Sequence, residues 1–345
     1  MKLLITGGAG FIGCHLAYHF GRAGHAITIF DNLSRRGSEK NLEWLERHGD
    51  NLRFVRGDIR DAAAIAEAAR GQEAIFHLAG QVTVTTSVLD PREDFEINAL
   101  GTFNALEAAR AAGTHPIFIY TSTNKVYGGM EHTGVREGPV RYSFKDLPLG
   151  VSETQPLDFH SPYGCSKGAG DQYVRDYARI YDLPAVVFRQ SAIYGPRQFG
   201  IEDQGWLAFF AISAALGQPI TIYGDGKQVR DVLYIDDLAR LFELAVERID
   251  RARGEVYNIG GGPEFTLSVW TEAGPLLETV SGCQFAVRYA DWRPGDQRIY
   301  VSDIRKAERE LGWRPMVKPV DGLERMWQWI VENKPLFEPA LAPSA

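Results

Sequence analysis

Along the first half of the chain, short apolar runs alternate with longer stretches whose apolar positions recur every three or four residues. Lys2–Ile5, Ala26–Phe30, Leu52–Val55, Ala74–Ala79, Ile117–Thr121 and Ala185–Arg189 read as strands. Between them, Ile12, Leu16 and Phe20 share one face of a helix that Gly24 can stop. Ala62–Arg70 predicts an alanine-rich helix bounded by Gly71. Asp90-Pro91 is a capping residue followed by a first-turn proline, and predicts a helix to about Ala112. Ser161-Pro162 repeats that signal and opens a helix to about Tyr181, closed by Pro184. Strands joined by helical crossovers imply a parallel sheet with helices on both faces. The expected fold class is therefore α/β, a doubly wound parallel sheet.

The second half is less regular and holds more tryptophan and proline. Two domains are expected. Residues 1–190 form the sheet, with a strand or helix returning from 230–260. Residues 191–345 form a smaller C-terminal α/β lobe over the carboxyl edge of the strands, and the tail Pro339–Ala345 is expected to be mobile. A hydrophobic content of 45% beside 23% charge excludes a disordered or collagen-like chain. No apolar run reaches the roughly 18–20 residues of a membrane span, and glycines break the apolar opening MKLLITGGAGFIG. The net charge of −7 argues against nucleic acid or an anionic membrane as partner. Three dispersed cysteines suit free thiols in the cytosol and argue against a structural metal site.

The first strand ends in a loop with Gly7, Gly10 and Gly13, and Phe11 and Ile12 open the following helix. A pyrophosphate needs bare backbone at such a turn, and the helix N-terminus adds N–H groups and positive dipole. This makes the sheet Rossmann-like. Asp31 ends the second strand, where a carboxylate accepts both ribose hydroxyls and repels a 2′-phosphate, which favours NAD. Arg35 and Arg36 pull the other way. Asn32 and Ser34 suit either the cofactor or a turn cap. Asp58, Ile59, Leu78 and Ala79 lie on the same edge and are expected to wall the adenosine.

Tyr163 and Lys167 stand four residues apart on one helix face. A phenol titrates near 10, too high for a base at neutral pH. A lysine cation and an oxidised nicotinamide both favour the phenolate. Gly164, Gly168 and Gly170 weaken the same helix, each by about 0.5–1 kcal/mol, so something is expected to approach it closely, either a cofactor or another subunit's helix. Ser122 and Thr123 end the fifth strand, where a hydroxyl can meet the substrate, although such a cluster also suits a plain turn.

These motifs, with HLAG at His77–Gly80, FEINALGT around Asn98, RDVLYIDDLA at Arg230–Ala239 and RPGDQR at Arg293–Arg298, resemble the extended short-chain dehydrogenase/reductases. Within them the chain is most similar to the nucleotide-sugar epimerases. The resemblance implies NAD as cofactor, Tyr163 as base, Lys167 on the nicotinamide ribose and Thr123 on the reacting hydroxyl. Cofactor contacts extend to Gln81 and Asn98. The related sugar dehydratases place Asp-Glu after the catalytic threonine. Here those positions are Asn124 and Lys125.

The blocks DNLSRRG, QVTVTTS, STNKVYG, LDFHSPYGCSK and DQGW resemble the branch acting on CDP-sugars. That resemblance implies inversion at C2 by hydride removal, a 2-ketose, rotation and re-reduction. The diphosphate must stay fixed while the sugar turns. The guanidinium forks of Arg230 and Arg293 suit it, and Asp296 can orient Arg293 or bind ribose. Gln81, Thr123, Arg189 and Gln204 complete the expected substrate site. Asp203 belongs to the lobe expected to grip substrate, Trp206 there suits pocket or core equally, and His160 suits substrate contact or helix capping. A homodimer or homotetramer is implied, with helix-on-helix contact around Tyr163 and Ala105–Ala112. The alternatives are a UDP-sugar 4-epimerase and a non-catalytic NAD-sensing scaffold.

Overall fold

The computed structural model describes residues 1–293 and 296–337, so the tail Pro339–Ala345 lies outside the described residues. Seven strands form the central sheet: β1 (Lys2–Thr6), β2 (Ala26–Asp31), β3 (Leu52–Arg56), β4 (Ala74–His77), β5 (Ile117–Thr123), β6 (Ala185–Gln190) and β7 (Val256–Ile259). Every pairing is parallel, and the spatial order is β7-β6-β5-β4-β1-β2-β3. The chain winds outward from β1 on one side and from β4 on the other. Their junction is the switch point at which such sheets bind ligands.

Alternation along the strands feeds two cores. Leu3 and Ile5 of β1 enter one, and Leu4 enters the other. The helices are α1 (Phe11–Arg22), α2 (Ser38–His48), α3 (Ala62–Ala69), α4 (Gly101–Arg110), α5 (Pro162–Ile180) and α6 (Ile235–Glu247). Leu16 of α1, Leu45 of α2 and Phe242 of α6 pack into the first core. Ile65 of α3, Leu106 of α4 and Val174 of α5 pack into the second. The sheet is thus doubly wound, as expected.

Asp90 and Ser161 cap their helices, accepting from the backbone N–H of Glu93 at 2.9 Å and of Gly164 at 3.0 Å. Such caps stabilise by about 1 kcal/mol each. One helix goes unannounced by the sequence, and three local expectations need correction. The helix α2 has no capping side chain at Gly37 and few buried apolar positions, so its charged sequence hides it. The fourth strand stops at His77, because Leu78 and Ala79 turn their N–H groups onto Thr6 Oγ1 at 3.2 and 3.3 Å. The fifth continues to Thr123, paired in register with Gln190. The helix expected from Pro91 to Ala112 contains a π-helical turn at Glu96–Leu100 before α4 begins, a defect common at functional sites.

Beyond β6 the lobe builds small sheets. Val229–Tyr234 pairs with Ala192–Tyr194, Thr266–Ser268 and Ile299–Tyr300, and Ile220–Tyr223 pairs with Val287–Ala290. The helix Trp206–Ala215 buries Leu207, Phe210 and Ile212 beneath them. The alanines Ala105, Ala108, Ala109 and Ala112 face this chain's own core, not a partner. The exposed side of α4 and α5 is instead aromatic, with Phe103 and Tyr173 in edge contact at 6.0 Å. No helix among the described residues is long and apolar enough to cross a membrane.

Candidate active site

The glycine loop is tight because its glycines touch backbone. Gly7 has φ +67°, and a Cβ there would lie 2.8 Å from the Ala79 nitrogen. A Cβ on Gly13 would lie 2.3 Å from the Gly7 carbonyl. The N-terminus of α1 has no side-chain cap at Gly10, so its N–H groups suit an anion. Phe11 and Ile12 line the cleft described below. Asp31 accepts from Ala9 N–H at 3.0 Å and Leu33 N–H at 2.8 Å. Burial raises its pKa, against those bonds. This cradle fits the pyrophosphate and ribose of a dinucleotide.

Neighbours of Asp31 are partly committed to one another. Asn32 donates to Asp58 at 3.0 Å and accepts from Ser34 N–H at 3.0 Å, so it acts as a turn cap. Arg60 binds Asp58 at 2.8 Å and holds its carboxyl well below the usual range. Ile59 is 5% exposed and belongs to the second core. Arg35 reaches across the site to Gln204 at 3.1 Å.

On α5, Tyr163 and Lys167 are 8% and 5% exposed. The Lys167 ammonium lies over the Tyr120 ring, 4.3 Å from its centroid. Burial lowers its pKa to about 7, while Asp171 and Asp94 pull upward. Burial also pushes Tyr163 up to about 12, opposed by the neighbouring Thr123 hydroxyl and by Arg35. Burial is the largest influence on this phenol, and Lys167 is not among the side chains that shift it. The helix glycines meet the same chain rather than a cofactor or second subunit. A Cβ on Gly168 would lie 2.3 Å from the Phe159 ring, and one on Gly170 would lie 2.5 Å from the Tyr120 hydroxyl.

Buried hydrogen bonds fix this helix. Ser166 donates to Asp94 at 2.5 Å, and Asn98 donates to Asp94, to Ser166 and to the Gln81 carbonyl at 3.0, 3.2 and 3.1 Å. Asn98 Oδ1 accepts from Gln81 N–H at 3.0 Å. Expected on the cofactor, Asn98 is instead a tie between the β4 exit and α5. His77 is bonded to Thr6 and Thr102 at 2.7 and 3.1 Å, and burial lowers its pKa to about 3, so it is neutral.

A cleft of about 400 Å³ opens between the carboxyl edge of the sheet and the lobe. It brings Ser122, Thr123 and Tyr163 together with Gln204, Arg230, Arg293 and Asp296. Ser122 Oγ is buried in its wall without a hydrogen-bond partner among the described residues. Two expected substrate residues are elsewhere. Arg189 is 3% exposed and grips Asp171, 0% exposed, through bonds of 2.8 and 2.9 Å. Its remaining nitrogen donates to the Tyr127 hydroxyl at 2.9 Å, so its donors face protein. Gln81 folds back onto both backbone groups of Thr83.

Asp296 accepts from Arg230 at 2.7 Å, so it orients Arg230 and not Arg293. Arg293 pairs with Asp203 at 3.2 Å and lies 3.9 Å from the Tyr223 ring centroid. Trp206 lines the cleft and also packs on Phe210. His160 is exposed, pairs with Asp158 at 3.0 Å and does not line the cleft. Lys125, Gln190 and Tyr223 were not anticipated in the wall. Gln190 becomes visible only through the register that sets it opposite Thr123.

The profile of the NAD dependent epimerase/dehydratase family matches residues 3–260. A CDP-paratose 2-epimerase of Salmonella typhi is 46% identical, over 95% of this chain and 99% of its own. The solved dTDP-glucose 4,6-dehydratase DesIV of Streptomyces venezuelae, with NAD and TYD bound, superposes with a TM-score of 0.83 at 33% identity, covering 98% of this chain and 99% of its own. The UDP-glucuronic acid 4-epimerase of Bacillus cereus, in complex with UDP-glucuronic acid and NAD, gives 0.82 at 30% identity, covering 96% and 100%. With the glycine cradle, the Tyr163–Lys167 helix and these likenesses along nearly its whole length, the chain belongs to the NAD dependent epimerase/dehydratase family.

Proposed function

We propose that this enzyme, a sugar-nucleotide isomerase dependent on NAD, inverts C2 of CDP-paratose to give CDP-tyvelose. The observation that carries the reading is the cleft wall in which Thr123 and Tyr163 meet, with Asn124 and Lys125 beside them. The acid–base carboxylate pair of the dehydratases is missing at those two positions, which supports epimerisation over elimination. The relative named for the same reaction supports C2 and cytidine.

The Gly7–Gly13 loop, Asp31 and Lys167 are the residues suited to hold NAD, which when bound accepts a hydride from a carbinol carbon and can return it. Tyr163 takes the hydroxyl proton, and later gives it back. Thr123 fixes the substrate hydroxyl, and its own hydroxyl beside the phenol favours the ionised form. Arg230, oriented by Asp296, holds the diphosphate so that the sugar alone turns. We also infer a homodimer or homotetramer with contact through the aromatic side of α4 and α5, supported by the exposure of Phe103 and Tyr173.

The test is CDP-paratose deuterated at C2, incubated in ordinary water. The expected product is CDP-tyvelose that keeps its label, and the Tyr163→Phe enzyme holds NAD without turnover. Label lost to water refutes hydride transfer. Turnover of UDP-sugars at C4 in its place favours the 4-epimerase. Wild type and variant that bind NAD and are equally inert favour the sensor.

A further inference from the structure

We propose that Lys125 is a phosphate ligand: with Arg230, its ammonium holds the diphosphate of the substrate. The assignment rests on the reading above that the ligand is a nucleoside diphosphate sugar. Lys125 lies two residues past Thr123, in the short 3₁₀ turn Asn124–Tyr127 that ends β5. Its backbone is fixed at both groups. The N–H donates to Thr123 Oγ1 at 3.2 Å, and the carbonyl accepts from Gly128 N–H at 3.2 Å. The side chain therefore starts from a rigid point and opens on the cleft.

Its ammonium has three donors but one long contact among the described residues, 3.4 Å to Gln297 Oε1. Gln297 is itself pinned through its amide nitrogen to the Gly128 carbonyl. A structural lysine elsewhere in the chain looks different: Lys306 meets Glu255 at 2.6 Å and the Val256 carbonyl at 2.9 Å. Around Lys125 the charged neighbours are Arg230 and Asp296. Arg230 already uses Asp296 at 2.7 Å and the Val229 carbonyl at 2.8 Å. Two cations thus share one carboxylate. Arg293, by contrast, is matched by Asp203 and Glu202. Unmatched positive charge in this cleft is therefore concentrated at Lys125 and Arg230.

Positive charge in a recessed site without a counter-charge is unfavourable. Burial, reinforced by Arg230, lowers the Lys125 pKa to about 8. A sugar hydroxyl would leave that charge uncompensated, whereas a phosphate oxygen compensates it and fills the open donors. Phosphate binding must then draw a proton onto Lys125 wherever the free amine was partly neutral. At pH 8.5 the uptake is roughly 0.7 proton if the bound amine returns to its ordinary value.

The NAD-loaded enzyme is titrated with CDP, and separately with UDP, by calorimetry at pH 8.5 in two buffers of different ionisation heat. Lys125→Met is expected to bind CDP at least about tenfold more weakly and to lose the proton uptake. Lys125→Arg is expected to retain affinity within a few-fold and to show no uptake. NAD content and melting temperature confirm folding, and Lys125→Gln replaces Met if that variant fails to fold. Equal CDP affinity and equal proton uptake in wild type and variant overturn the assignment. If wild type takes UDP and refuses CDP, the cytidine reading fails while the lysine dependence of UDP binding decides Lys125. Binding of neither diphosphate overturns both.

Discussion

Arg189→Met separates two meanings of one arginine. The substitution leaves Asp171, 0% exposed, facing the space of a guanidinium that had held it through bonds of 2.8 and 2.9 Å. Breaking a buried ion pair by removing one member costs about 3–5 kcal/mol. That is a large share of the roughly 5–15 kcal/mol that keeps a domain folded. The Tyr127 hydroxyl also loses its donor. Replacing both partners, Asp171→Leu with Arg189→Met, removes the stranded charge, and is expected to restore most of the loss. Urea unfolding of the NAD-loaded enzyme measures this as a fall in midpoint at unchanged slope for the single variant and a recovery for the double. A single variant that loses less than about 1 kcal/mol and raises KM at least tenfold would refute the reasoning, because Arg189 would then reach substrate.

Lys167→Met tests the buried ammonium by pH. The folded chain releases this proton near pH 7, and an unfolded one near 10.4. Between those values the unfolded state holds more protons, so this lysine makes stability rise with pH, by at most about 1.4 kcal/mol per unit. The variant is expected to lack that increment, read as the wild-type-minus-variant difference in urea midpoints at pH 7 and 9; parallel curves reject the assignment. The subunit face is tested by Phe103→Glu with Tyr173→Glu, both partly exposed in the single chain. Sedimentation should then report a monomer of unchanged fold, and an unaltered larger species removes this face as the interface.

Much of this architecture is legible locally. Asp90 and Ser161 announce their helices because a capping side chain acts within three residues. The glycine loop is readable because its constraint is backbone on backbone. The Arg189–Asp171 pair is not, since the two meet only when α5 packs against β6. For the same reason an arginine on a strand end looked like a ligand. Asp296 found Arg230 rather than its sequence neighbour Arg293, because the lobe sets Val229–Tyr234 beside that segment. The helix glycines were readable as close approaches, but their neighbours, Phe159 and Tyr120, were not. Lys125 lies in a motif whose sequence shows only the missing carboxylate. Its own significance depends on counting charges across the cleft.

The edge position of β7 bears on how the chain is made. This strand pairs with β6 only after the whole stretch from Ser191 to Glu255 has been traversed. On the ribosome, the nascent sheet must therefore wait with the flank of β6 uncovered while the intervening segments emerge. Open strand flanks invite pairing with other chains. Truncation anywhere between the two strands would leave that flank permanently bare, so a fragment ending after β6 is a poor surrogate for the nucleotide-binding half.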